Sequence, residues 1–169
     1  MTTPRENLTN WLRDAYAMEG QAIELLETQI KRLENYPEAL PRLRRHLDET
    51  REQRSQVEQC LHRLGTDTST VKDTAMKIGA TMQGMMHSMA GDEVLKHALG
   101  SNAFEHFEAG CYESLMVAAE AAGEPEIART CQRIMEQELD MAAWVWEQLP
   151  PLTQKYMERS AAGAAEAKR

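Results

Sequence analysis

The sequence is poor in the residues that several large protein classes need. Aromatic residues make up only 5% of its 169 residues, and it contains nine glycines and six prolines. These turn-forming residues are too few for a loop-rich all-β protein. The three cysteines, at positions 60, 111 and 131, are odd in number and show no CxxC spacing. They therefore indicate buried free thiols in a reducing cytosol rather than a disulfide framework.

Long apolar runs and positive charge are scarce as well. No run approaches the roughly 20 apolar residues that a membrane helix requires, and the first residues, MTTPRENLTN, lack the apolar core of a signal peptide. Lys and Arg number 19 against 27 Asp and Glu, which gives a formal net charge of −8. Because phosphate binding needs clustered cations, we expect no nucleic acid as a partner. The missing apolar runs lead us to expect a cytoplasmic protein that does not associate with a membrane.

Apolar residues recur at helical spacing along most of the chain. The segment TPRE at residues 3–6 predicts a helix that starts with a capping box. Pro37 and Pro125 are expected to open later helices, and Gly65 to cap the end of the second. Pro150 and Pro151 are expected to end the last long helix. The four predicted helices cover residues of about 4–35, 37–64, 92–122 and 125–149.

The lengths of the connections predict the topology. Short turns make antiparallel pairs of helices one and two and of helices three and four, and a crossover of about 25 residues separates the pairs. We therefore expect an all-α fold, a ferritin-like four-helix bundle, over residues 1–150, with a short extra helix in the crossover. Residues 151–169 are expected to form a short C-terminal helix and tail. The alternative is an up-and-down bundle with a fifth small helix.

Four glutamates interrupt the apolar stripes of these helices or border them. Glu19, Glu108 and Glu138 lie among apolar residues, and Glu49 lies on the shoulder of its stripe. Each is near the middle of its helix, and the middles of antiparallel helices share one layer. Four converging carboxylates need a cation or bound protons. Inward glutamates are how helix bundles build di-iron and di-manganese sites, so we predict a dinuclear iron or manganese centre.

The Glu-x-x-His motifs of such sites are absent from this chain. The nearest arrangement is the reversed His46-x-x-Glu49, and Glu105 is the i, i+3 neighbour of Glu108. His46 and Glu105 therefore complete the predicted ligand set. His106 points about 160° away from Glu108 on a helical wheel with 3.6 residues per turn.

The methionines at residues 76–89 are a further feature. With His87 they could suit Cu(I), but methionine at helical spacing more often packs a core or an interface. If this segment is exposed, it would suit a protein partner.

Several motifs together resemble one bacterial family. They are WLRDAYAMEGQA, NYPE, HLDET followed by Gln53, AFEHFEAGCYESL, EQELDMAAW and AAEAKR. In combination they closely resemble the YciE branch of the YciE/YciF stress-protein family, over nearly the whole chain. The resemblance implies a ferritin-like bundle, a homodimer, and an association with general or osmotic stress without an established biochemical activity. The positions that match the family pattern are Glu19, His46, Glu49, Gln53, Glu105, Glu108 and Glu138. YciF-type members have a histidine where this chain has Arg51.

Two functional hypotheses follow. In the first, the protein is a stress protein with a di-metal carboxylate centre, whose chemistry with iron would be oxidation of Fe(II) by peroxide or O₂. In the second, it is a metal-free homodimeric binding or structural module without enzymatic activity. Its buried glutamates are then protonated or paired with Arg51, Arg54 or a lysine. Whether the protein is an enzyme stays open between the two.

Overall fold

The computed structural model describes residues 1–33, 36–68 and 93–163, and within these ranges the secondary structure is helical throughout. The helices are α1 (Pro4–Arg32), α2 (Leu40–Arg63), α3 (Glu93–Ala121) and α4 (Pro125–Ala161), with a 3₁₀ turn at Pro37–Ala39 before α2. The predicted all-α fold is therefore confirmed. The predicted Met-rich helix at 76–89 and the end of the predicted tail lie outside the described residues. None of the described helices combines the length and apolar character that crossing a membrane would require.

Local sequence signals explain most of the helix boundaries. The hydroxyl of Thr3 accepts a hydrogen bond from the backbone N–H of Glu6 at 3.2 Å, and the Glu6 carboxylate accepts one from the backbone N–H of Thr3 at 2.7 Å. This capping box satisfies donors that a helix start leaves free. After α2 and α3 the chain turns at Gly65 and Gly123, whose φ angles are +74° and +75°. Glycine adopts such angles without the steric cost that other residues meet.

The prediction that Pro150-Pro151 ends the last helix is wrong. Helix α4 continues through both prolines to Ala161, so there is no separate C-terminal helix at its end. A proline inside a helix costs about 3 kcal/mol because it removes a hydrogen bond and crowds the preceding turn. Packing offsets this cost, since Leu152 and Tyr156 beyond the prolines contact the buried core.

Polar contacts also hold this extension in place. Lys155 forms an ion pair with Glu38 at 2.8 Å and lies 4.7 Å from the ring centre of Tyr36. The 3₁₀ turn before α2 is thereby joined to the end of α4. A sequence pattern does not reveal such contacts, because their partners are more than 100 residues apart.

The packing of the helices decides the topology. Helix α1 packs on α2 and α3, and α4 packs on α3 and α2. Near the start of α2, Arg42 pairs with Asp140 of α4. At the end of α2, Arg63 pairs with Glu124, the residue just before α4. Helices α2 and α4 therefore run antiparallel.

Helix α1 is antiparallel to α2, because Glu27 pairs with Arg51 while Arg5 bonds the backbone oxygen of Leu64. It is antiparallel to α3 as well, because Glu19 bonds Tyr112 while Arg5 pairs with Glu124 beyond the end of α3. Thus α2 and α3 are parallel, which requires the long crossover and rules out the up-and-down alternative.

Two apolar clusters fill the bundle, one towards each end. The first includes Leu8, Leu12, Leu61 and Ile134, and the second includes Tyr36, Leu43, Met141 and Val145. Between them lies a layer of buried polar residues from all four helices, which we call the polar layer. Its members are Glu19, His46, Thr50, Gln53, Glu105, Glu108 and Glu138.

Candidate metal centre

A histidine and two glutamates meet within the polar layer. His46 comes from α2, Glu105 from α3 and Glu138 from α4. Nε2 of His46 lies 3.2 Å from Oε2 of Glu105 and 3.8 Å from Oε2 of Glu138. One potential ligand atom of each residue lies within 4.8 Å of those of the other two. All three side chains are buried, so these groups interact in a medium with little water.

The spacing suits one metal ion after a small adjustment. Ligand atoms about 2.1 Å from a common ion lie at most about 4.2 Å apart, and both distances from His46 meet that limit. Oε2 of Glu138 is buried and has no hydrogen-bond partner. Such an oxygen is costly unless a proton or a cation satisfies it. Imidazole with carboxylates is a donor set for first-row divalent ions such as iron, so the residues present fit a metal.

Neighbouring side chains orient the two glutamates. Ser101 donates a hydrogen bond to Oε1 of Glu105 at 3.1 Å, and the amide of Gln53 donates to Oε1 of Glu138. In both cases the hydrogen bond uses the carboxylate oxygen other than the one nearest His46. The Oε2 atoms therefore remain directed at the same place, as outer hydrogen bonds do around protein metal sites.

Glu19, Glu108 and Tyr112 extend the polar layer beyond this group. The phenol of Tyr112 donates a hydrogen bond to Oε1 of Glu19. Oε2 of Glu19 and Oε1 of Glu108 are buried without hydrogen-bond partners. Both residues belong to the predicted ligand set, and the dinuclear character of the site stays a prediction.

Burial raises the pKa of three of the acids in the polar layer. Burial raises the pKa of Glu19 to about 8, against the opposing hydrogen bond from Tyr112. Burial and the negative charge of Glu105 raise the pKa of Glu138 to about 9. Burial, together with the charges of Glu19 and Glu138, raises the pKa of Glu108 well above its usual value. Protons or a cation must therefore balance this layer.

His46 behaves in the opposite way from an isolated buried histidine. Burial by itself would lower its pKa, but interactions with Glu105 and Glu49 and the negative charge of Glu138 raise the pKa to about 10. The imidazole is thus a cation within the layer when no metal competes for its nitrogens. Binding of an ion through His46 therefore has to release a proton.

The structure places the six predicted ligands in two groups. Five of them, namely Glu19, His46, Glu105, Glu108 and Glu138, lie together in the polar layer. The sixth, Glu49, is only half-buried. It lies 3.5 Å from Nδ1 of His46 and forms ion pairs with Arg42 and Arg45 at 3.1 and 2.8 Å.

These contacts of Glu49 also determine its charge. Hydrogen bonding with His46 and Arg45 and the charges of Arg42 and Arg45 lower its pKa to about 2. Glu49 is thus an ionised carboxylate at the edge of the layer. Both of its oxygens already contact an arginine, so Glu49 is better placed to orient His46 than to bind a metal ion.

In the metal-free hypothesis the buried glutamates can pair with Arg51 or Arg54, and the structure places these two arginines differently. Arg51 pairs with Glu27 at 2.9 Å and Asp48 at 3.1 Å at the surface, so it does not neutralise the buried glutamates. Arg54 lies closer to them. Its guanidinium stacks 4.4 Å from the ring centre of Tyr16, and its charge lowers the pKa of Glu19 against the effect of burial.

Two orienting residues were not among the predicted ligands. Gln53 belonged to the family pattern only, and Ser101 was not singled out in the sequence. Ser101 could have been found from helical spacing, because it precedes Glu105 by four residues. The role of Gln53 could not, because its partner Glu138 lies on a different helix. His106, which was expected to point away, is exposed and bonds the backbone oxygen of Asn102 at 2.8 Å.

Residues 3–158 match a family described as a domain of unknown function, DUF892. This chain belongs to the DUF892 family. The match includes every member of the polar layer and all of the helices up to residue 158, so the family unit comprises the whole bundle.

Two solved structures are similar to this DUF892 protein over most of its length. Protein XCC3681 from Xanthomonas campestris pv. campestris is 36% identical, with a TM-score of 0.80, and the match covers 94% of this chain and 99% of that one. YcfI from Rhodopseudomonas palustris, described as a putative structural protein, is 26% identical with a TM-score of 0.71. That match covers 86% of this chain and 94% of YcfI. Both relatives thus share the helical bundle.

Proposed function

We propose that this DUF892 protein is a metal-binding helical bundle in which His46, Glu105 and Glu138 hold a divalent first-row ion, Fe(II) or Mn(II). The observation that supports this most is the convergence of three buried ligand atoms from three helices within 4.8 Å. Oxygen-rich sites with one imidazole favour iron and manganese over Cu(I), which prefers sulfur ligands. Glu19 and Glu108 are the ligands for a second ion, which makes the centre dinuclear.

The chain itself supplies a buried, preorganised setting for such a centre. Apolar clusters lie on either side of the polar layer, and Gln53, Ser101 and Tyr112 orient the carboxyl groups. His46 and the buried acids give up their protons as an ion binds. With iron, the centre would supply oxidation of Fe(II) by peroxide or O₂.

Metal binding is tested on protein freed of metal by a chelator. The apoprotein is titrated anaerobically with Fe(II) or with Mn(II) by calorimetry, and bound metal is counted by elemental analysis. We expect stoichiometric binding that Glu138→Gln abolishes. Glu136→Gln is the matched control, since Glu136 is an exposed residue of the same helix whose carboxylate accepts a hydrogen bond from Gln132. Absence of stoichiometric binding by the unaltered protein would overturn the proposal.

We further propose that the protein acts in the cytoplasm in a stress response and assembles as a homodimer. The resemblance of its motifs to the YciE/YciF family supports this role. The lack of membrane-spanning character in the described helices agrees with it. A protein partner that contacts the segment 76–89 remains a prediction, since that segment lies outside the described residues.

A second candidate function is a metal-free structural or binding module. Two observations favour it. The similar protein YcfI is described as a putative structural protein, and Trp11, Phe107 and Trp146 are 44–66% exposed, which is typical of an interaction surface. The two candidates differ in one measurement. A ligand of the folded state raises the melting temperature, so Mn(II) stabilises the metal-binding bundle and leaves the metal-free module unchanged.

A further inference from the structure

A small pocket connects the surface with the polar layer. It has a volume of about 100 Å³ and lies between α1 and α3. Its lining includes exposed Thr28 and Arg32, half-buried Gln29 and Ser101, and buried Glu105 and Glu108. The lining thus passes from exposed to buried residues, which is the gradient expected of an entrance rather than of an internal void.

The pocket also reaches across the bundle. His46 belongs to α2, which lies on the other side of the polar layer from the seam between α1 and α3, yet it is one of the lining residues. Three of the proposed ligands, His46, Glu105 and Glu108, therefore border one continuous space. A volume of about 100 Å³ has room for roughly three water molecules, each of which takes about 30 Å³.

We propose that this pocket is the port through which a divalent cation reaches the polar layer, an inference that rests on the proposed metal site. Polar side chains mark the route along α3, where His97, Ser101 and Glu105 follow one another at intervals of four residues on one helix face. Their nitrogen and oxygen atoms can replace part of the hydration shell of an entering ion.

The other approach to His46 is less favourable to a cation. On that side Glu49 is covered by ion pairs with Arg42 and Arg45, and Arg42 also pairs with Asp140, so an ion would have to displace these ion pairs before it reached His46. The pocket has one arginine in its lining, Arg32, which is exposed at the rim. Entry between α1 and α3 disrupts none of these ion pairs and is therefore the more favourable route.

Gly100 offers a way to close the port without touching a ligand. It lines the pocket, and a Cβ atom built on it meets no other atom within 4 Å. A leucine at this position would place four carbon atoms at or in the pocket. Gly110 is the matched control, because it lies on the same helix with the same open space but lines an outer groove between α1 and α3.

The experiment compares rates with equilibria for Mn(II). The apoprotein and the variants Gly100→Leu, Gly100→Ala and Gly110→Leu are mixed with Mn(II) bound to a chromogenic chelator, and transfer is followed by stopped flow. Calorimetry gives the Kd, and circular dichroism verifies helix content. We expect Gly100→Leu to slow uptake and release together, on the order of tenfold, with an unchanged Kd. Gly100→Ala should give a smaller slowing, and Gly110→Leu none.

The outcomes separate the port from the metal site. If the unaltered protein binds Mn(II) and both Gly100 variants take it up at the unaltered rate, the port is wrong and the metal site stands. If the unaltered protein binds no metal, the proposed function itself fails. Should Gly100→Leu not fold, Gly100→Ala still tests the proposal, because a helical alanine in open space stabilises a helix relative to glycine.

Discussion

His46 of α2 lies 3.2 Å from Glu105 of α3, although these helices occupy diagonal corners of the bundle. A contact across the diagonal lies near the bundle axis, where four-helix bundles normally place apolar side chains. Here a charged pair takes that place, and Glu138 adds a third polar group at 3.8 Å. Because apolar clusters lie on either side of these three residues, each of them relies on the other two for its polar contacts.

Loss of His46 should therefore destabilise the apoprotein strongly. His46→Ala leaves the carboxylate of Glu105 buried without its cation, and removal of one partner of a buried pair costs about 3–5 kcal/mol. Urea unfolding of the chelator-treated protein measures the free energy of unfolding. The control is His62→Ala, because His62 is an exposed residue of the same helix. Equal stability of the two variants would contradict the importance of the diagonal pair.

The stability of the apoprotein should fall as the pH rises from about 5 to 9. The pKa values of Glu19 and Glu138 rise from 4.5 to about 8 and about 9 on folding, and that of His46 rises from 6.5 to about 10. A group whose pKa is higher in the folded state stabilises it below the unfolded pKa, and this contribution is lost as the pH rises through the folded pKa. All three groups thus act in the same direction.

Thermal unfolding in chelator across this pH range measures the effect. Glu138→Gln removes one titrating carboxyl group and should flatten the dependence, whereas Glu136→Gln should leave it unaltered. Saturating Mn(II) should reverse part of the loss at high pH, since an ion replaces the protons that the layer gives up. A melting temperature that rises steadily from pH 5 to 9 in chelator would contradict the assignment of protonated buried acids.

Removal of the Tyr112 hydroxyl should destabilise the apoprotein by about 1–3 kcal/mol, the cost of leaving a buried acceptor without its donor. The phenol of Tyr112 donates to Glu19 inside the bundle. Tyr112→Phe retains the ring and its packing, so urea unfolding reports the lost hydrogen bond. Tyr16→Phe is the control, because its ring keeps the stacking with Arg54. A Tyr112→Phe protein as stable as the control would show that Glu19 needs no donor.

The extension of α4 beyond its prolines should contribute to stability. Tyr156 is half-buried against the second apolar cluster, and its replacement by alanine should cost about 1–2 kcal/mol from lost apolar burial. Met157 is 62% exposed, so Met157→Ala is the control and should be close to neutral. Equal free energies of unfolding for the two variants would mean that the residues after Pro151 do not pack on the bundle.

Much of the architecture could be predicted because its signals are local. The capping box at Thr3, the turn at Gly65 and the proline at the start of α4 act within a few residues of themselves, and their predicted positions agree with the structure. The continuation through Pro150 could not be predicted, because it depends on the ion pair of Lys155 with Glu38, more than 100 residues earlier in the chain, and on the packing of Tyr156 against the second apolar cluster.

The sequence by itself determined the helices, the acidic net charge and the presence of glutamates at mid-helix positions in apolar stripes. Only the tertiary structure decided which of these acids share a space. Helical spacing places a residue on a face but not against a partner, and the pairing of His46 with Glu105 depends on how the diagonal helices are aligned. Glu49, which lies on the shoulder of its apolar stripe, is found at the edge with two arginines, while Glu138, which lies among apolar residues, is in the buried polar layer.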